Sequence, residues 1–278
     1  MRGHECFASY STRPVDIARA RPMRLNITDR QAVSAAVAEI KPDAVIHCAA
    51  WTNVDAAQDP ENIQTVRAVN VRGTENAALA CREAGCPMVY ISTDYVFDGG
   101  GTKPRSADQE NYSPLNVYGR SKLDGEYRVR ELLERYYIVR TQWVFGSRGD
   151  SFVSAMLRAG RTHSEIRVVD DQFGVPTYTR HLARLLVDMC ETDRYGCYHA
   201  TNSGGFISRC DLAKEIFRQA GYDVNVLPVS TEGYGPQKAE RPLNGRLDCS
   251  KLTRAGFDPL PDWKSAVSEY LFEIEGGK

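Results

Sequence analysis

Residues 88–99, Met-Val-Tyr-Ile-Ser-Thr-Asp-Tyr-Val-Phe-Asp-Gly, decide how this chain is read. Met88 to Ser92 is a short apolar run that suits a buried strand. Thr93 and Asp94 follow at once, and a segment rich in Gly, Asp and Lys then runs from Asp98 to Asn111 as a surface loop. A buried strand whose polar residues emerge at its carboxyl end is the pattern of a parallel sheet, which gathers ligands outside those ends. Ser-Thr-Asp also makes ordinary turns, so the reading depends on its neighbours.

Those neighbours alternate between strand and helix. Upstream lie an opening strand near Cys6–Ser9, a second at 23–27, a helix capped by Thr28-Asp29 and running to Ile40, and a buried strand at 43–49. A long helix spans about Pro60 to Ala84, with Pro60 in its first turn. Downstream come a helix at Asn116–Arg135 and a strand at Tyr137–Thr141. This order predicts an α/β fold, a doubly wound Rossmann-like parallel sheet with helices on both faces. Beyond Phe152 the alternation loosens. A strand at Ile166–Val169 mixes with helices at 179–190, 208–220 and 262–274, which reads as a smaller C-terminal lobe. The expected division is 1–151 and 152–278, a soft boundary that the chain recrosses.

Composition narrows the function. The 278 residues carry a formal net charge of −1 and no basic run, which argues against nucleic acid or a membrane surface as partner. No apolar stretch approaches the ~18 residues of a membrane span, and no signal-peptide core opens the chain, so a cytoplasmic location is expected. The eight cysteines form no Cys-x-x-Cys pair and are expected reduced and mostly buried. The five histidines have no ligand spacing, so no metal site is expected.

The chemistry centres on Asn-Val-Tyr-Gly-Arg-Ser-Lys, residues 116–122. Tyr118 and Lys122 stand four apart on a helix and share a face. A phenol titrates near ~10 and is a poor acid at neutral pH, and an adjacent ammonium favours its ionised form. The spacing alone arises by chance in a chain of this composition. Tyr234 and Lys238 repeat it, but Pro236 and two glycines forbid a regular helix there. The first pair gains weight from Thr93, whose hydroxyl at the strand end can meet a substrate carbonyl beside the tyrosine.

At these two segments the chain resembles the extended short-chain dehydrogenases, and within them the dTDP-4-dehydrorhamnose reductases. HCAAWTNVDAAQDP (47–60), AVNVRGTENAALAC (68–81), SPLNVYGRSKLDGE (113–126), VRTQWVFG (139–146), VVDDQFGVPTYT (168–179) and ERPLNGRLD (240–248) are similar to family landmarks in the family's order. The resemblance implies NADPH-dependent reduction of dTDP-4-dehydro-6-deoxy-L-mannose to dTDP-L-rhamnose. It implies Tyr118 as proton donor, Lys122 as the group that holds the nicotinamide ribose, and Thr93 on the reacting oxygen. Asp94 and Trp143 would contact the dTDP-sugar, with the indole offering a flat face. Ala50, Trp51 and Thr52 would line the cofactor, and Asn26 would meet the adenine where relatives usually have Asp. Arg241 and Arg246 are candidate diphosphate ligands by charge. Ser11, Thr12 and Arg13 follow the opening strand without an acid, which favours NADPH with NADH tolerated. The resemblance leaves room for Mg2+, for which no site is legible, and for a homodimer.

In the family, a first strand, a glycine-rich turn and a first helix precede the point matching Gly3. This chain has no glycine between Gly3 and Gly73. That βα unit supplies the central strand and the anion site for the cofactor pyrophosphate. Two readings stand: Met1 is an internal codon of a longer protein, or the chain is a repurposed sugar-nucleotide-binding or regulatory protein. A related sugar-nucleotide epimerase is a third. In the chain as given, the strands before residue 28 are expected to be loosely held.

Overall fold

The computed structural model describes residues 2–12, 14, 17 and 20–276. Its centre is a four-stranded parallel sheet made of β3 (Val45–His47), β4 (Met88–Thr93), β5 (Tyr136–Thr141) and the strand Gly196–His199, in that spatial order. β4 lies against β5 in register Met88↔Tyr136 through Thr93↔Thr141. β1 (Cys6–Tyr10) and β2 (Ala20–Arg24) pair in parallel with each other and join no other strand among the described residues. The expected α/β sheet is thus present in two pieces.

Alternation along β4 and β5 builds both halves of the core. Val89, Tyr137 and Val139 pack on Leu182, Leu185, Leu186 and Met189 of the helix Thr179–Cys190. Met88, Tyr90 and Ile138 pack on the opposite face against α3 (Thr74–Ala84) and α4 (Val117–Leu132). The strand Gly196–His199 comes from the second half of the sequence, so the chain does cross back. A second core around Phe145, Tyr178, Leu212, Ile216, Trp263 and Tyr270 underlies the C-terminal elements.

Local signals placed the ends of most helices. Asp29 caps α1 (Arg30–Ile40) by accepting from the Ala32 N–H at 3.0 Å. The long helix begins at Pro60 as α2 (Pro60–Arg67), passes through a wide π turn at Ala68–Gly73 and continues as α3 to Ala84. The strand expected over 43–49 shrinks to the three residues of β3. It has a hydrogen-bonded neighbour on one side only, which limits how much chain a ladder can hold. The second strand lies at 20–24, earlier than expected, in register with β1.

All eight cysteines are free, and the expectation that most are buried fails. Cys81, Cys86, Cys197 and Cys210 are buried, whereas Cys6 on β1 and Cys48 just after β3 are exposed. Both exposed thiols border the break in the sheet. No helix among the described residues is long and apolar enough to cross a membrane.

The β1–β2 pair is held to the body by surface ion pairs, Arg2 and His4 with Glu191, and by the packing of α1 on α3. Exposed pairs of this kind are screened by solvent and contribute little, and a two-stranded ladder is marginal alone. Amides of β1 and β2 are therefore expected to exchange with solvent deuterium at least about 100-fold faster than those of β4 and β5. Mass-spectrometric hydrogen exchange checks this, and equal protection would show a bond to the main sheet that the ladders do not contain.

Candidate active site

The carboxyl end of β4 delivers Thr93 and Asp94, as the sequence pattern requires. The Thr93 hydroxyl accepts from the Tyr95 N–H at 3.2 Å and donates to Asp94 Oδ1 at 3.1 Å. α4 arrives above this point. Its N-cap Asn116 accepts from the Gly119 N–H at 2.8 Å and donates to the Glu240 carbonyl, also at 2.8 Å. Two glycines let the helix lie close: a Cβ at Gly119 would sit 2.3 Å from the Tyr95 carbonyl oxygen, and one at Gly125 would sit 2.3 Å from the Tyr90 hydroxyl. Tyr118 is thereby brought edge-on to Tyr95, ring centres 5.8 Å apart.

Thr93 and Tyr118 meet here. The Thr93 hydroxyl is the side-chain group that most favours Tyr118 ionisation, while burial pushes the phenol's pKa up and Asp94 and Tyr95 add to the rise. Lys122 is not among the groups that set the Tyr118 proton. Its ammonium stands 4.1 Å from the Tyr90 ring centre, is buried, and has no hydrogen-bond acceptor among the described residues. Burial lowers its pKa to about 7, against the pull of Glu126 and Cys48. The lysine effect expected from the sequence is thus not realised in the protein on its own.

Asp94 is 4 % exposed, and its Oδ2 has no hydrogen-bond partner. Burial raises its pKa to about 7, against the opposing bond from Thr93 and the charge of Arg209. Both side-chain polar atoms of the neighbouring Gln142 are also buried and unpartnered. Trp143 follows with φ of 48°, a left-handed backbone that a bulky residue adopts at a cost of about 1–3 kcal/mol. One face of its indole carries the Arg209 guanidinium, 3.9 Å from the ring centre. That face, expected to be open to a ligand, is taken.

On the other flank, Ala50, Trp51 and Thr52 follow β3. Asn70, inside the π turn, accepts from the Trp51 N–H at 2.7 Å and donates to the Trp51 carbonyl and to the Ser121 hydroxyl, at 3.1 Å and 2.8 Å. One side chain thus ties the candidate cofactor loop to the tyrosine helix. Asn26 uses its Oδ1 to accept from the Thr28 N–H and hydroxyl. Arg13 lies outside the described residues.

Beside Tyr95 opens a cavity of about 610 Å³, lined by Asp55, Phe152, Met156, Arg167, Arg209 and Arg241 among others. The fork of Arg241 is filled by Asp55, at 2.7 Å and 2.5 Å. Arg246 stacks on Phe173 and bonds to Asn244, and does not line the cavity. Tyr234 and Lys238 reach the rim, but the helical turn there ends at Tyr234, as the proline and glycines require. Among the described residues no group of three or more His, Cys, Asp or Glu is placed to hold a metal ion.

The model of the RmlD substrate-binding domain matches residues 3–275. The chain belongs to this family. Within the RmlD family, the dTDP-4-dehydrorhamnose reductase of Streptomyces griseus is 41% identical over 251 residues, which cover 88% of this chain and 81% of the relative. The dTDP-4-dehydrorhamnose reductase of Escherichia coli K12 is 35% identical, with 90% and 85% covered. The crystal structure of the Bacillus anthracis dTDP-4-dehydrorhamnose reductase in complex with NADP superposes with a TM-score of 0.86 at 40% identity, covering 91% of this chain and 90% of that one. The RmlD-family chain is therefore homologous to NAD(P)-dependent reductases, and its Rossmann-like parallel fold is theirs.

Asn70, Asp55, Arg209 and Gln142 were not singled out in the sequence. Asn70 had a signal, a poor helix former in the middle of a long helix. Arg209 had another, a cation in the first turn of a helix whose dipole disfavours it there.

The carboxyl of Asp94 gives a direct test of this geometry. A folded-state pKa above the unfolded value means the fold prefers the protonated acid, so stability is lost as pH rises from about 4 to about 7. Asp94→Asn removes that loss. At ~1.4 kcal/mol per pKa unit, the variant is expected to gain on the order of 2–4 kcal/mol over wild type at pH 8 relative to pH 4. Thermal melts of both proteins across this range check it, and parallel curves would show a freely ionised Asp94.

Proposed function

We propose that the protein reduces the 4-keto group of dTDP-4-dehydro-6-deoxy-L-mannose to give dTDP-L-rhamnose, using NADPH and tolerating NADH. The observation that supports this most is that Thr93 and Tyr118 meet at the end of β4, with Lys122 one turn along the same helix from Tyr118, beside a cationic cavity large enough for a nucleotide sugar. Substrates named for the relatives supply the rest of the reading.

In this reading the dinucleotide supplies a hydride to the sugar carbon, so the ketone becomes a secondary alcohol as NADPH becomes NADP+. Tyr118 delivers the proton to the sugar oxygen. Its raised pKa keeps that proton in place until the oxygen gains charge. Thr93 binds the same oxygen. When Asp94 is protonated, its O–H donates to Thr93, and the threonine hydrogen is freed for the substrate. Lys122 fits the cofactor ribose by a property of its own: a buried ammonium whose three donors lack acceptors takes hydroxyls readily. Ala50, Trp51 and Thr52, fixed by Asn70, would line the cofactor, with Asn26 at its adenine end. The pyrophosphate end fits less well, because no glycine occurs between Gly3 and Gly73 to bring backbone amides close. The first 151 residues hold the reacting groups, and the cavity draws its walls from both sides of that point.

Supplied with the ketosugar nucleotide and NADPH, the protein is expected to oxidise one NADPH for each 6-deoxy-sugar nucleotide formed, followed by absorbance at 340 nm, roughly the nicotinamide band, and by product chromatography. Sugar conversion without net oxidation would make it an epimerase. Calorimetric binding of the sugar nucleotide without NADPH binding would favour a non-catalytic role. In the active protein, Tyr118→Phe is expected to lower kcat by ~10²–10⁴ while substrate still binds. Tyr234→Phe is expected to leave kcat within about twofold, since that phenol is half exposed at the cavity rim. Equal losses from the two would remove Tyr118 from the mechanism.

A further inference from the structure

Four cationic side chains line the cavity: Arg167, Arg209, Lys238 and Arg241. Three are already engaged. Arg241 is held by both oxygens of Asp55, Lys238 pairs with Asp59, and Arg167 donates to the Gly233 carbonyl at 2.7 Å. Arg209 differs. It opens the helix Arg209–Ala220, and its backbone N–H donates to the Gln172 carbonyl at 3.2 Å. Its guanidinium lies 3.9 Å from the ring centre of Trp143 and 5.0 Å from that of Phe152. Among the described residues, no carboxylate forms an ion pair with it and no acceptor takes its N–H groups.

The side chain is half-buried, with the rest of it open to the cavity. Burial lowers the Arg209 pKa to about 10, and the charges of Tyr95 and Asp94 offset only part of that. Aromatic faces attract a guanidinium but return less than a bonded carboxylate does. Stacking, however, uses only the flat face of the group. The five N–H donors lie in its plane and stay free, in the fork that fits phosphate oxygens. Trp143, on its left-handed backbone, holds this plane in the cavity wall. Arg209 shares the cavity wall with Tyr95, whose ring lies 5.8 Å from that of Tyr118, so it stands on the side of the cavity next to the reacting tyrosine.

We propose that Arg209, stacked on Trp143, is the residue that binds the diphosphate of the nucleotide sugar and sets the distance from that diphosphate to Tyr118. This rests on the reductase reading of the same cavity, and it moves the diphosphate contact away from Arg241, whose fork is filled. The indole then acts on substrate through the arginine and not as a stacking face.

The test titrates dTDP and thymidine into wild type, Arg209→Met and Arg209→Lys, with no dinucleotide added. Calorimetry follows dTDP, and NMR line broadening follows thymidine. Wild type is expected to bind dTDP. Arg209→Met is expected to weaken dTDP at least about 30-fold and leave thymidine within about twofold, and Arg209→Lys to weaken dTDP about 5-fold or more, because a point charge replaces a fork. A general disturbance of the cavity would weaken both ligands together, and that result overturns the proposal. So does dTDP affinity unchanged in either variant while wild type binds it, which leaves the reductase reading intact. If Arg209→Met does not fold by its melting curve, Arg209→Lys decides alone by the same criterion. Wild type that fails to bind dTDP defeats the nucleotide-sugar reading itself and the arginine proposal with it.

Discussion

Glu126 and Arg140 form an ion pair in which neither side chain has exposed surface, and the position of the reacting groups follows from it. Arg140 Nε and Nη2 donate to the two Glu126 oxygens at 2.8 Å and 2.6 Å, and the Ser92 hydroxyl donates to Oε1 at 2.6 Å. Burial works against the Arg140 charge, but these bonds outweigh it and raise its pKa. Removing one member of such a pair costs about 3–5 kcal/mol, because the other is left charged and dry. That is a large share of the ~5–15 kcal/mol by which a domain is stable. The pair therefore fixes the rotation of α4 about its axis. Lys122 is one turn before Glu126 and Tyr118 one turn before that, so a single buried carboxylate on β5's arginine sets Lys122 over the Tyr90 ring and Tyr118 beside Thr93.

Around that fixed point the site is held against the preferences of its own groups. Asp94 is pushed toward its neutral form, Lys122 toward loss of its proton, and the half-buried Arg209 faces the cavity without an anion. Tyr118 is held firmly protonated. Structural side chains rarely stay in such states, and perturbed groups gathered in one cleft mark places where charge will move or arrive. The network of Asn70 carries the same logic in hydrogen bonds. A wide turn in a long helix, an expensive irregularity in itself, points one amide at the loop after β3 and at the tyrosine helix together.

Much of this was legible because the signals were local. Met88–Thr93 reads as a strand by composition, Asp29 as a cap, and Tyr118 with Lys122 as one face of a helix. What was not legible depends on partners far away in the chain. Among the described residues β3 pairs on one side only, and Cys6 and Cys48 are exposed, neither of which the local residues announce. Arg241 looked available until Asp55, 186 residues earlier, filled its fork. Trp143 looked like an open face until Arg209 covered it. The coupling of Lys122 to Tyr118 failed for a similar reason: helical spacing fixes the face, but not which aromatic ring an ammonium leans on.

The break in the sheet also leaves strand edges uncovered among the described residues. β1 and β3 each end the hydrogen-bonded ladder on one side, and Phe7 and Ile46, both 38% exposed, sit on these strands. Native edges are shielded by lysine, proline or a bulge, and neither Cys6–Tyr10 nor Val45–His47 has any of these. Two unguarded parallel edges with apolar flanks are templates for strand addition between molecules. Where such an edge is met by another strand, the exposed Cys6 or Cys48 thiol lies beside the contact and within reach of disulfide exchange.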